Sequence, residues 1–585
     1  MTKKWVLHSK TTSPNESGSD LDPTIVKILT QRGVAPRDMN AFLDPQYERD
    51  THDPYLFDDM EKAVERIIRS LKNKERITIY GDYDVDGVGA STVLHDTLTA
   101  CGANVHVYMN HRERDGYGMQ IKAVEQLAEE GTTLIITNDS GISNKKEIAY
   151  AKELGMDTII TDHHQVPPPD DIPDAYAIIH PQVRADRYPF KYLAGGGSAF
   201  KLAQGLIHAD SDQWFADLRE HAKNSEGKPI RWDTFEKWLL DAVCLSTIGD
   251  CVPLVGENRV LVKYGLIVLA KTRRPGLRYI LKKAGFWGKP VTPRIVSFTI
   301  NPRINAASRM EHGTIAFRLM TASSDQEGME LADILEQKNS ERQKVTERIL
   351  SEASKQLKPF AESNKKILVG ISDEWNLGVL GLVAGKLCNQ FNRPVVLATR
   401  ANGHTHGTAR SIERVHITNT FHSVSRFFEK FGGHAAAGGF LMKEPVDFHE
   451  FRTALEASTD AITDEDIEPS ITIDVELTLA QVTWSLWEAL SKLEPFGEGN
   501  RKPLFLIQNV SITDIRPVGT NNKHLRLVVQ QHGISKKVIA FSLAKALNAI
   551  VLGDRIDIVC EIGMNEWNGT KELQISLVDY RRPLA

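Results

Sequence analysis

Strands and helices alternate from about Lys72 to Leu254, and this alternation limits the possible folds more than any other feature. Four short apolar runs read as strands, "RITIYG", "ANVHVYM", "TTLIITND" and "DTIITDHH". Helical stretches lie between them, among them "GASTVLHDTLTACG", "KAVEQLAEEG" and "NKKEIAYAKELG". Repeated alternation of this kind is typical of βαβ units and predicts an α/β fold with a parallel, doubly wound sheet.

The chain is long enough to require several domains, because 585 residues exceed what one hydrophobic core supports. A long charged helix is predicted beyond the first α/β domain, and a second α/β body follows it. After Ile471 the apolar residues recur at every second position, and Asn568-Gly569 is a hairpin signal, which together predict a small β-barrel. The predicted divisions are an N-terminal helical extension at 1–60, the first α/β domain at 61–325, a connecting helix at 326–362, a second α/β domain at 363–460 and the barrel at 466–585.

The N-terminal extension contains "SPNESGSD", which reads as flexible, and then two short helices in "LDPTIVKILTQRGV" and "MNAFLDPQ". We expect these helices to pack on the first α/β domain. No apolar run approaches the ~20 residues of a membrane span, and no signal peptide is apparent. The five cysteines are scattered without a C-x-x-C pair, which indicates a reducing compartment. We therefore expect a soluble cytoplasmic protein without a membrane partner.

The net charge of −5 conceals a basic segment at residues 259–309, which carries twelve Lys or Arg and no Asp or Glu. About 6.6 acidic residues are expected there from the average of the chain. Aromatic residues are interleaved with the basic ones, a pattern that suits single-stranded nucleic acid. The candidate contacts are Arg273, Arg274, Lys282 and Lys283. The alternative is a solvated helical face whose acidic partners lie elsewhere in the fold.

Three aspartates, Asp82, Asp84 and Asp86, follow the first predicted strand in "ITIYGDYDVDGVG". An EF-hand loop requires a glutamate at its twelfth position, where this chain has Val93, and a strand rather than a helix enters the loop. The glycines do not complete a dinucleotide fingerprint, and no Walker-type loop has the required spacing. A cation among the carboxylates is the remaining interpretation.

Other polar side chains follow comparable apolar runs. Asp139 ends one in "TNDSGIS", His163 and His164 end another in "TDHHQ", and Asp250 ends a further run in "LSTIGDCVPL". Because the carboxyl ends of parallel strands meet at one rim, we expect these side chains to converge. Each has an ordinary alternative, such as a helix N-cap or a surface histidine.

A site of aspartate oxygens with one or two imidazoles suits Mn²⁺ or Mg²⁺ better than zinc. The carboxylates exceed what one divalent ion needs, which favours two ions ~3.5–4 Å apart. Such a pair is typical of phosphoester hydrolysis.

The motifs "YGDYDVDGVGAS", "TNDSGIS", "TDHHQ" and "LSTIGDCVPLVGENR" resemble, in order, the first four motifs of the DHH phosphoesterases. "PRINAASRM", "WNLGVLGLVAGKL", "HGTARSI" and "GGHAAAGGF" resemble the DHHA1 domain and the approach to it, and "LEPFGEGNRKPLF" resembles the start of an OB-fold. The ordered set runs from about Tyr80 to the last residue. Within this family it is similar to the single-strand-specific 5′→3′ DNA exonucleases.

The resemblance implies a catalytic centre of Asp82, Asp84, Asp86, Asp139, His163, His164 and Asp250. It implies that Asp82, Asp84 and Asp139 hold one metal ion. Asp86, Asp139, His163 and Asp250 would hold the other, with Asp139 bridging. His164 would donate a hydrogen bond to the scissile phosphate. Alternatively, it orients His163.

The resemblance also implies that the second α/β body holds the 5′ phosphate together with Arg309 of the first domain. The implied residues are Arg309, Thr408, Arg410, Ser411, Gly433 and His434. Glycine-rich turns allow a backbone to approach a phosphate, although close packing is the ordinary alternative. Ser308 replaces the usual glycine before Arg309, so the local turn is expected to differ there without affecting the metal site. Thr408 replaces a common serine.

The leading hypothesis is a single-strand-specific exodeoxyribonuclease that releases 5′-mononucleotides with two Mn²⁺ or Mg²⁺ ions. A monomer that works with a single-stranded DNA-binding protein and a helicase in repair and recombination is expected. A DHH phosphodiesterase acting on short oligoribonucleotides or cyclic dinucleotides is the enzymatic alternative. A non-catalytic nucleic-acid scaffold is the third, and it would be expected to lose metal ligands, whereas every acidic and histidine position is present here.

Overall fold

The computed structural model describes residues 3–8, 21–112, 114–183, 187–210, 212–224, 227–401, 403–445, 447–519, 522–541, 550–567 and 569–583. The chain divides into two compact units. The barrel unit comprises Met1–Thr51, Pro253–Lys263 and Ser470–Ala585, and the two-sheet unit comprises His52–Val252 and Tyr264–Pro469. The predicted flexible stretch at 13–20 lies outside the described residues.

The predicted parallel sheet is present in the two-sheet unit. Its five strands are all parallel and lie in the spatial order second, first, third, fourth, fifth. In chain order they are Arg76–Gly81, Asn104–Met109, Thr132–Asn138, Asp157–Thr161 and Ala177–Ile179. The first four match the predicted runs, whereas the fifth has only three residues and is too short to show a periodicity. Ile79, Ile136 and Ile159 are fully buried, as expected for strands covered on both faces.

Helices alternate with these strands along the chain and continue through most of the basic segment. In chain order they are Met60–Asn73, Val85–Ala100, Ile121–Glu129, Lys145–Glu153, Gly195–His208, Gln213–His221, Trp232–Trp238, Leu240–Gly249, Gly256–Leu269, Pro275–Lys283, Pro293–Ile295, Asn301–Met310 and Thr314–Thr321. A π-helical segment, Val296–Ile300, joins two of them into one helical run.

The helix Val85–Ala100 begins four residues before the predicted start at Gly89. The Asp84 carboxylate accepts hydrogen bonds from the backbone N–H groups of Asp86 and Gly87, at 2.9 and 3.3 Å, and so caps the helix. Capping by an aspartate satisfies N–H groups that have no partner within the helix. The motif that follows the strand is therefore also the first turn of a helix.

The connecting helix spans Asp325–Glu362, close to its predicted range of 326–362. Leu331, Leu335, Ile349 and Leu357 form its buried stripe. It contacts helices of the first α/β domain, and it also contacts the first strand and the first helix of the second body. A narrow apolar stripe on a polar helix is typical of this bridging role.

The second body contains a five-stranded mixed sheet. Only the pair formed by its first two strands is parallel. In chain order the strands are Leu368–Ile371, Val395–Ala401, His404–Arg410, Phe428–Gly433 and Ala437–Met442, and the helices are Leu377–Phe391, Ile417–Ser423 and Phe448–Ala457.

The C-terminal strands close into the predicted barrel, because the first of them also pairs with the fourth. The alternating residues Ile556, Ile558, Cys560 and Ile562 are at most 4% exposed and lie in its core. The last two strands form a hairpin; Gly569 has a φ of +79°, and Asn568 lies outside the described residues. The barrel strands are Phe505–Val518, His524–Gln531, Ile534–Ala540, Arg555–Trp567 and Thr570–Arg581; Ser470–Ile473, Val475–Glu476 and the helix Trp484–Ser491 precede them.

The N-terminal helices are present, but their predicted packing is wrong. The helices Pro23–Gln31, Met39–Leu43 and Tyr47–Asp50 belong to the barrel unit. Ile28 and Phe42 share a hydrophobic core with barrel residues, and the strand Lys4–Leu7 pairs with Ser470–Ile473. An apolar stripe predicts that a helix packs on something, but it does not identify the partner.

Four of the five cysteine thiols are buried, and Cys251 is exposed. In the part of the chain that the structure describes, no helix has both the length and the apolar character needed to cross a bilayer.

Candidate active site

The polar residues predicted to converge do lie together at the carboxyl rim of the parallel sheet. Asp82 follows the first strand, Asp139 follows the third, and His163 follows the fourth. Asp86 lies in the first turn of the helix Val85–Ala100. The apolar run before Asp250 is also a helix, Leu240–Gly249, which Asp250 ends as the C-cap. The ends of three strands and two helices therefore supply the site.

His163 lies at the centre of the cluster. Its Nε2 atom is 3.1 Å from Asp139 Oδ1, 3.5 Å from Asp86 Oδ2 and 3.7 Å from Asp250 Oδ2. Distances of this kind place the three carboxylates around one small volume.

Three sets of potential metal-ligand atoms occur among the described residues, and the atoms within each set lie within 4.8 Å of one another. One set is Asp82, Asp84 and Asp139, a second is Asp86, His163 and Asp250, and a third is Asp139, His163 and His164. Asp139 and His163 each belong to two sets, so the three groups form one continuous centre.

The Asp86 carboxylate is held by a helix that the sequence analysis did not connect with the site. Its oxygens accept hydrogen bonds from the backbone N–H groups of Gly195 and Gly196, at 2.8 and 2.7 Å. A Cβ atom at Gly195 would lie 2.7 Å from the Cβ of Asp139, closer than such atoms approach. The signal in the sequence was three consecutive glycines at the start of a helix, "AGGGSAF".

Asp162 has an orienting role beside the two histidines. Its buried carboxylate accepts hydrogen bonds from the backbone N–H groups of His163, His164 and Ile142, at 2.7, 3.1 and 3.0 Å. Burial alone raises the pKa of Asp162, but its hydrogen bonds and the charge of His164 lower the pKa below its usual value. Asp162 therefore remains an anion and fixes the turn that presents both imidazoles.

The tautomer of His164 follows from its partners. Its Nδ1 atom lies 2.8 Å from Asp162 Oδ1, and an ionised carboxylate only accepts, so Nδ1 carries a proton. The Tyr117 hydroxyl lies 3.0 Å from the same Nδ1 and donates to the carbonyl oxygen of Asp139 at 3.2 Å. Burial lowers the pKa of His164, but the hydrogen bond to Asp162 and the charges of Asp162, Asp250 and Asp86 together outweigh burial and raise it to about 9. Tyr117 was not predicted from the sequence, because its contact with His164 depends on the fold.

The electrostatics of the centre fit a divalent cation. Burial, and then repulsion by neighbouring carboxylates, raises the pKa of Asp82 and of Asp250 to about 8 and raises the pKa of Asp139 well above its usual value. The Oδ1 atom of Asp82 is buried without a hydrogen-bond partner. Carboxylates that repel one another this strongly, with an orphaned oxygen among them, are matched by hard cations with oxygen ligands.

An arginine cluster, consisting of Arg112, Arg309, Arg342 and Arg410, adjoins the carboxylates. Burial, then the charge of Arg112, lowers the pKa of Arg309 to about 9, while the charge of Asp84 opposes this shift. Burial and Arg112 likewise lower the pKa of Arg410. Mutually repelling guanidinium groups are suited to a multiply charged anion. Arg112 and Arg342 were not predicted, because their convergence depends on tertiary structure.

The other residues predicted to bind phosphate belong to the second sheet: Thr408 and Arg410 lie on its third strand and Ser411 follows it, while Gly433 ends the fourth strand, with the fifth strand between the two. The Arg410 guanidinium donates to Thr408 Oγ1 at 3.3 Å, and the backbone N–H of Ser411 donates to the carbonyl of Ala436. Gly433, with a φ of +144°, and His434 begin the turn that returns the chain beside Arg410.

The serine at position 308, where the family usually has glycine, does not strain the backbone. Ser308 lies within the helix Asn301–Met310 and is buried. A helical residue has a negative φ, so a serine is accommodated there without the left-handed conformation that favours glycine.

The basic segment has acidic partners elsewhere in the fold, as the alternative interpretation expected. Arg274 is a correction: its side chain is 11% exposed and lies 2.8 Å from Asp96 and 2.9 Å from Asp241, so it is a buried structural ion pair rather than a nucleic-acid contact. Lys283 pairs with Asp333. Because these acids lie far away in sequence, counting acids within the segment could not reveal them.

Other residues of the basic segment also have structural contacts. Arg259 is buried in the barrel unit and donates to five backbone carbonyl oxygens, those of Phe42, Lys492, Leu493, Glu494 and Pro495. The Arg273 guanidinium stacks 4.0 Å from the centre of the Trp238 ring, and Lys282 lies 5.9 Å from that of Trp287. The segment is therefore not a uniform nucleic-acid track.

Comparison with family models assigns three parts of the chain. Residues 76–244 match the DHH family N-terminal domain, residues 364–460 match the DHHA1 domain, and residues 473–579 match the RecJ OB domain.

Comparison with known proteins agrees along nearly the whole chain. The single-stranded-DNA-specific exonuclease RecJ of Bacillus subtilis is 33% identical over 96% of this chain and 68% of the relative. RecJ of Haemophilus influenzae is 31% identical, over 90% of this chain and 91% of the relative. The crystal structure of RecJ in complex with Mn²⁺ from Thermus thermophilus aligns with a TM-score of 0.81 and 27% identity, covering 100% of this chain and 80% of that one. The chain therefore belongs to the RecJ family of single-stranded-DNA-specific exonucleases.

Proposed function

We propose that this chain is a single-stranded-DNA-specific exonuclease that hydrolyses phosphodiester bonds from the 5′ end and releases 5′-mononucleotides. The observation that carries the proposal is the cluster of aspartates and histidines at the rim, which adjoins buried arginines. A hydrolytic centre beside an anion-binding cluster suits a substrate that has a terminal phosphate near its scissile bond.

The ligand assignment is part of the proposal. Asp82, Asp84 and Asp139 hold one Mn²⁺ or Mg²⁺, and Asp86, Asp139, His163 and Asp250 hold the other. The proximity of ligand atoms within the corresponding sets supports this division. When bound, two such ions supply a water of lowered pKa and stabilise the charge on the attacking and leaving oxygens. Gly195 and Gly196 hold the Asp86 carboxylate in place through their N–H groups.

His164 acts as a hydrogen-bond donor to the scissile phosphate in this proposal. Since its Nδ1 proton is engaged by Asp162, Nε2 is the nitrogen left for the substrate. With a pKa of about 9, the imidazole is cationic at neutral pH, and its Nε2–H favours the charge that develops on a phosphate oxygen.

The arginine cluster binds the terminal 5′ phosphate. Arg309 and Arg410 supply charge-assisted hydrogen bonds, Arg112 adds charge, and Thr408 and Ser411 add hydroxyl groups. Recognition of a chain end by a buried cluster explains exonucleolytic rather than internal cleavage, because an internal phosphodiester lacks the second negative charge of a terminal phosphate.

The barrel binds the incoming strand by stacking and phosphate contacts, as expected of an OB-fold. The chain acts as a monomer in the cytoplasm, with a single-stranded DNA-binding protein and a helicase as partners. The buried, unlinked thiols support a reducing compartment.

A time course on a single-stranded oligodeoxynucleotide with Mn²⁺ tests the polarity and the chemistry. One sample carries a label at its 5′ end and the other at its 3′ end. We expect immediate release of a 5′-labelled mononucleotide and stepwise shortening of the 3′-labelled strand. Loss from the 3′ end first contradicts the polarity, and an intact strand contradicts the proposed substrate. Cleavage confined to short oligoribonucleotides or cyclic dinucleotides favours the other DHH phosphodiesterases.

The change Tyr117→Phe removes the hydroxyl that contacts His164 Nδ1 and the Asp139 carbonyl. We expect kcat to fall by about tenfold, the lower end of the range for residues that orient metal ligands, while KM stays nearly constant. Steady-state kinetics on an oligodeoxynucleotide measure the effect, with Tyr192→Phe as the control at an exposed tyrosine. An unchanged kcat contradicts an orienting role for Tyr117.

A further inference from the structure

Phe298 is an apolar side chain that the fold leaves in solvent. It is 74% exposed, the highest value among the large apolar side chains of the described residues. A single exposed aliphatic residue needs no explanation, but an aromatic ring held in water offers its exposed surface to a ligand.

The ring lies within the π-helical segment Val296–Ile300. Single π turns inside helices occur frequently at functional sites, because they change the direction in which a side chain projects. This segment continues directly into the helix Asn301–Met310, which reaches the candidate active site.

That helical run places Phe298 in line with the active site. Asn305 lies seven residues later, and its Oδ1 atom accepts the backbone N–H of Val85 at 2.9 Å, between the aspartates of the first motif. Arg309 lies eleven residues later, in the arginine cluster. The order along this run is therefore Phe298, Asn305 and Arg309, with the π-helical turn at the Phe298 end.

The order of Arg309, Asn305 and Phe298 along the helical run indicates the direction in which a bound strand extends. Arg309 marks the proposed site of the 5′ phosphate, and Asn305 marks the level of the metal-binding aspartates. Phe298 lies on the opposite side of that level, about 10 Å from Asn305 at ~1.5 Å of rise per residue. A strand with its 5′ end at Arg309 therefore extends its 3′ part toward Phe298.

Arg294 adds charge to this position. Its guanidinium carbon lies 5.5 Å from the centre of the Phe298 ring. No carboxylate partner of Arg294 is found among the described residues, in contrast to Arg274 and Lys283 in the same basic segment. An aromatic ring with an adjacent arginine is the combination that binds a base and its phosphate in single-stranded nucleic acids.

We propose that Phe298 and Arg294 form a stacking platform for a nucleobase on the 3′ side of the scissile bond. This inference rests on the proposed function and deepens it. At ~3.4 Å per stacked base, 10 Å corresponds to about three nucleotides beyond the scissile phosphate. The platform engages only an unpaired base, since the face of a paired base is covered by its neighbours in a duplex.

The test compares the change Phe298→Ala with Phe298→Trp on two 5′-phosphorylated substrates, a single-stranded 12-mer and a dinucleotide too short to reach the platform. We expect Phe298→Ala to raise KM for the 12-mer about tenfold, to leave kcat nearly constant and to leave the dinucleotide unaffected. Phe298→Trp keeps an aromatic ring and should leave the KM for the 12-mer close to that of the unaltered protein. Ile267→Ala, at another exposed apolar residue of the basic segment, is the matched control.

If Phe298→Ala lowers kcat/KM equally on both substrates, Phe298 has a structural role and the platform is overturned. An unchanged KM for the 12-mer would also overturn the platform. Failure of the unaltered protein to cleave either substrate would instead reject the proposed function. A second readout is the salt dependence of 12-mer binding. We expect Arg294→Ala to reduce the slope of log K against log salt by about 0.7, as for one lost phosphate contact on a single strand. An unchanged slope removes Arg294 from the platform.

Discussion

The change Asp139→Ala is expected to lower kcat on single-stranded DNA by more than ~100-fold while the affinity for the strand stays within about threefold. Residues that only orient metal ligands already cost ~10–100-fold when removed, and Asp139 belongs to two of the three ligand sets. It also lies 3.1 Å from His163, so its loss disturbs both halves of the centre. Strand affinity persists because phosphate and base contacts elsewhere are unchanged.

Steady-state kinetics and fluorescence anisotropy on the same labelled oligodeoxynucleotide measure the two effects of Asp139→Ala separately. Asp174→Ala is the control, because the Asp174 side chain is 86% exposed and lies in the same domain. A variant at Asp139 with near-normal kcat would falsify the metal assignment. Loss of strand affinity together with activity would indicate unfolding, which thermal denaturation of the variant detects.

The paired change Arg309→Met and Arg410→Met is expected to lower kcat/KM for a 5′-phosphorylated oligonucleotide by more than ~100-fold. Each hydrogen bond to a charged group contributes ~1.5–3 kcal/mol, and a tenfold change corresponds to ~1.4 kcal/mol. Methionine keeps most of the side-chain volume while removing the charge. The same oligonucleotide with a 5′ hydroxyl should change by less than about threefold, because it lacks the group that the arginines bind.

The comparison of the two substrates controls for damage to the fold, which lowers both rates equally. Arg400→Met provides a matched protein control, since Arg400 lies on a strand of the same sheet and its side chain is 55% exposed. If the kcat/KM of the double variant falls equally on both substrates, the arginine cluster does not recognise the 5′ phosphate.

The sheet and its rim were predictable because local patterns determine them. Alternating strands and helices predict a parallel sheet, and the direction of the strands then brings Asp82, Asp139 and His163 to one edge. The helix Val85–Ala100 begins four residues earlier than predicted, because Asp84 caps it at that point. The Asp84 carboxylate caps the helix and also lies in a ligand set.

Tertiary partners were not predictable from local sequence. The carboxylates of Asp96 and Asp241 neutralise Arg274 from distant positions in the chain. The N-terminal helices share a hydrophobic core with barrel residues. Their apolar stripes alone did not identify this partner. Arg112 joins the arginine cluster through the fold alone.

The glycines at 195–197 carried a visible signal, but its meaning depends on two partners. The N–H groups of Gly195 and Gly196 hold Asp86, and the absence of a Cβ at Gly195 leaves room for Asp139. The sequence shows that three consecutive residues lack side chains at this position. Only the fold shows which carboxylates approach it.

Titration of metal-free protein with Mn²⁺, followed by electron paramagnetic resonance, tests the central claim most directly. The account predicts two Mn²⁺ ions per chain whose spins are coupled, since ions ~3.5–4 Å apart share a bridging ligand. It also predicts that Asp139→Ala abolishes the coupling. One ion per chain, or two ions without coupling in the unaltered protein, would contradict the two-metal centre.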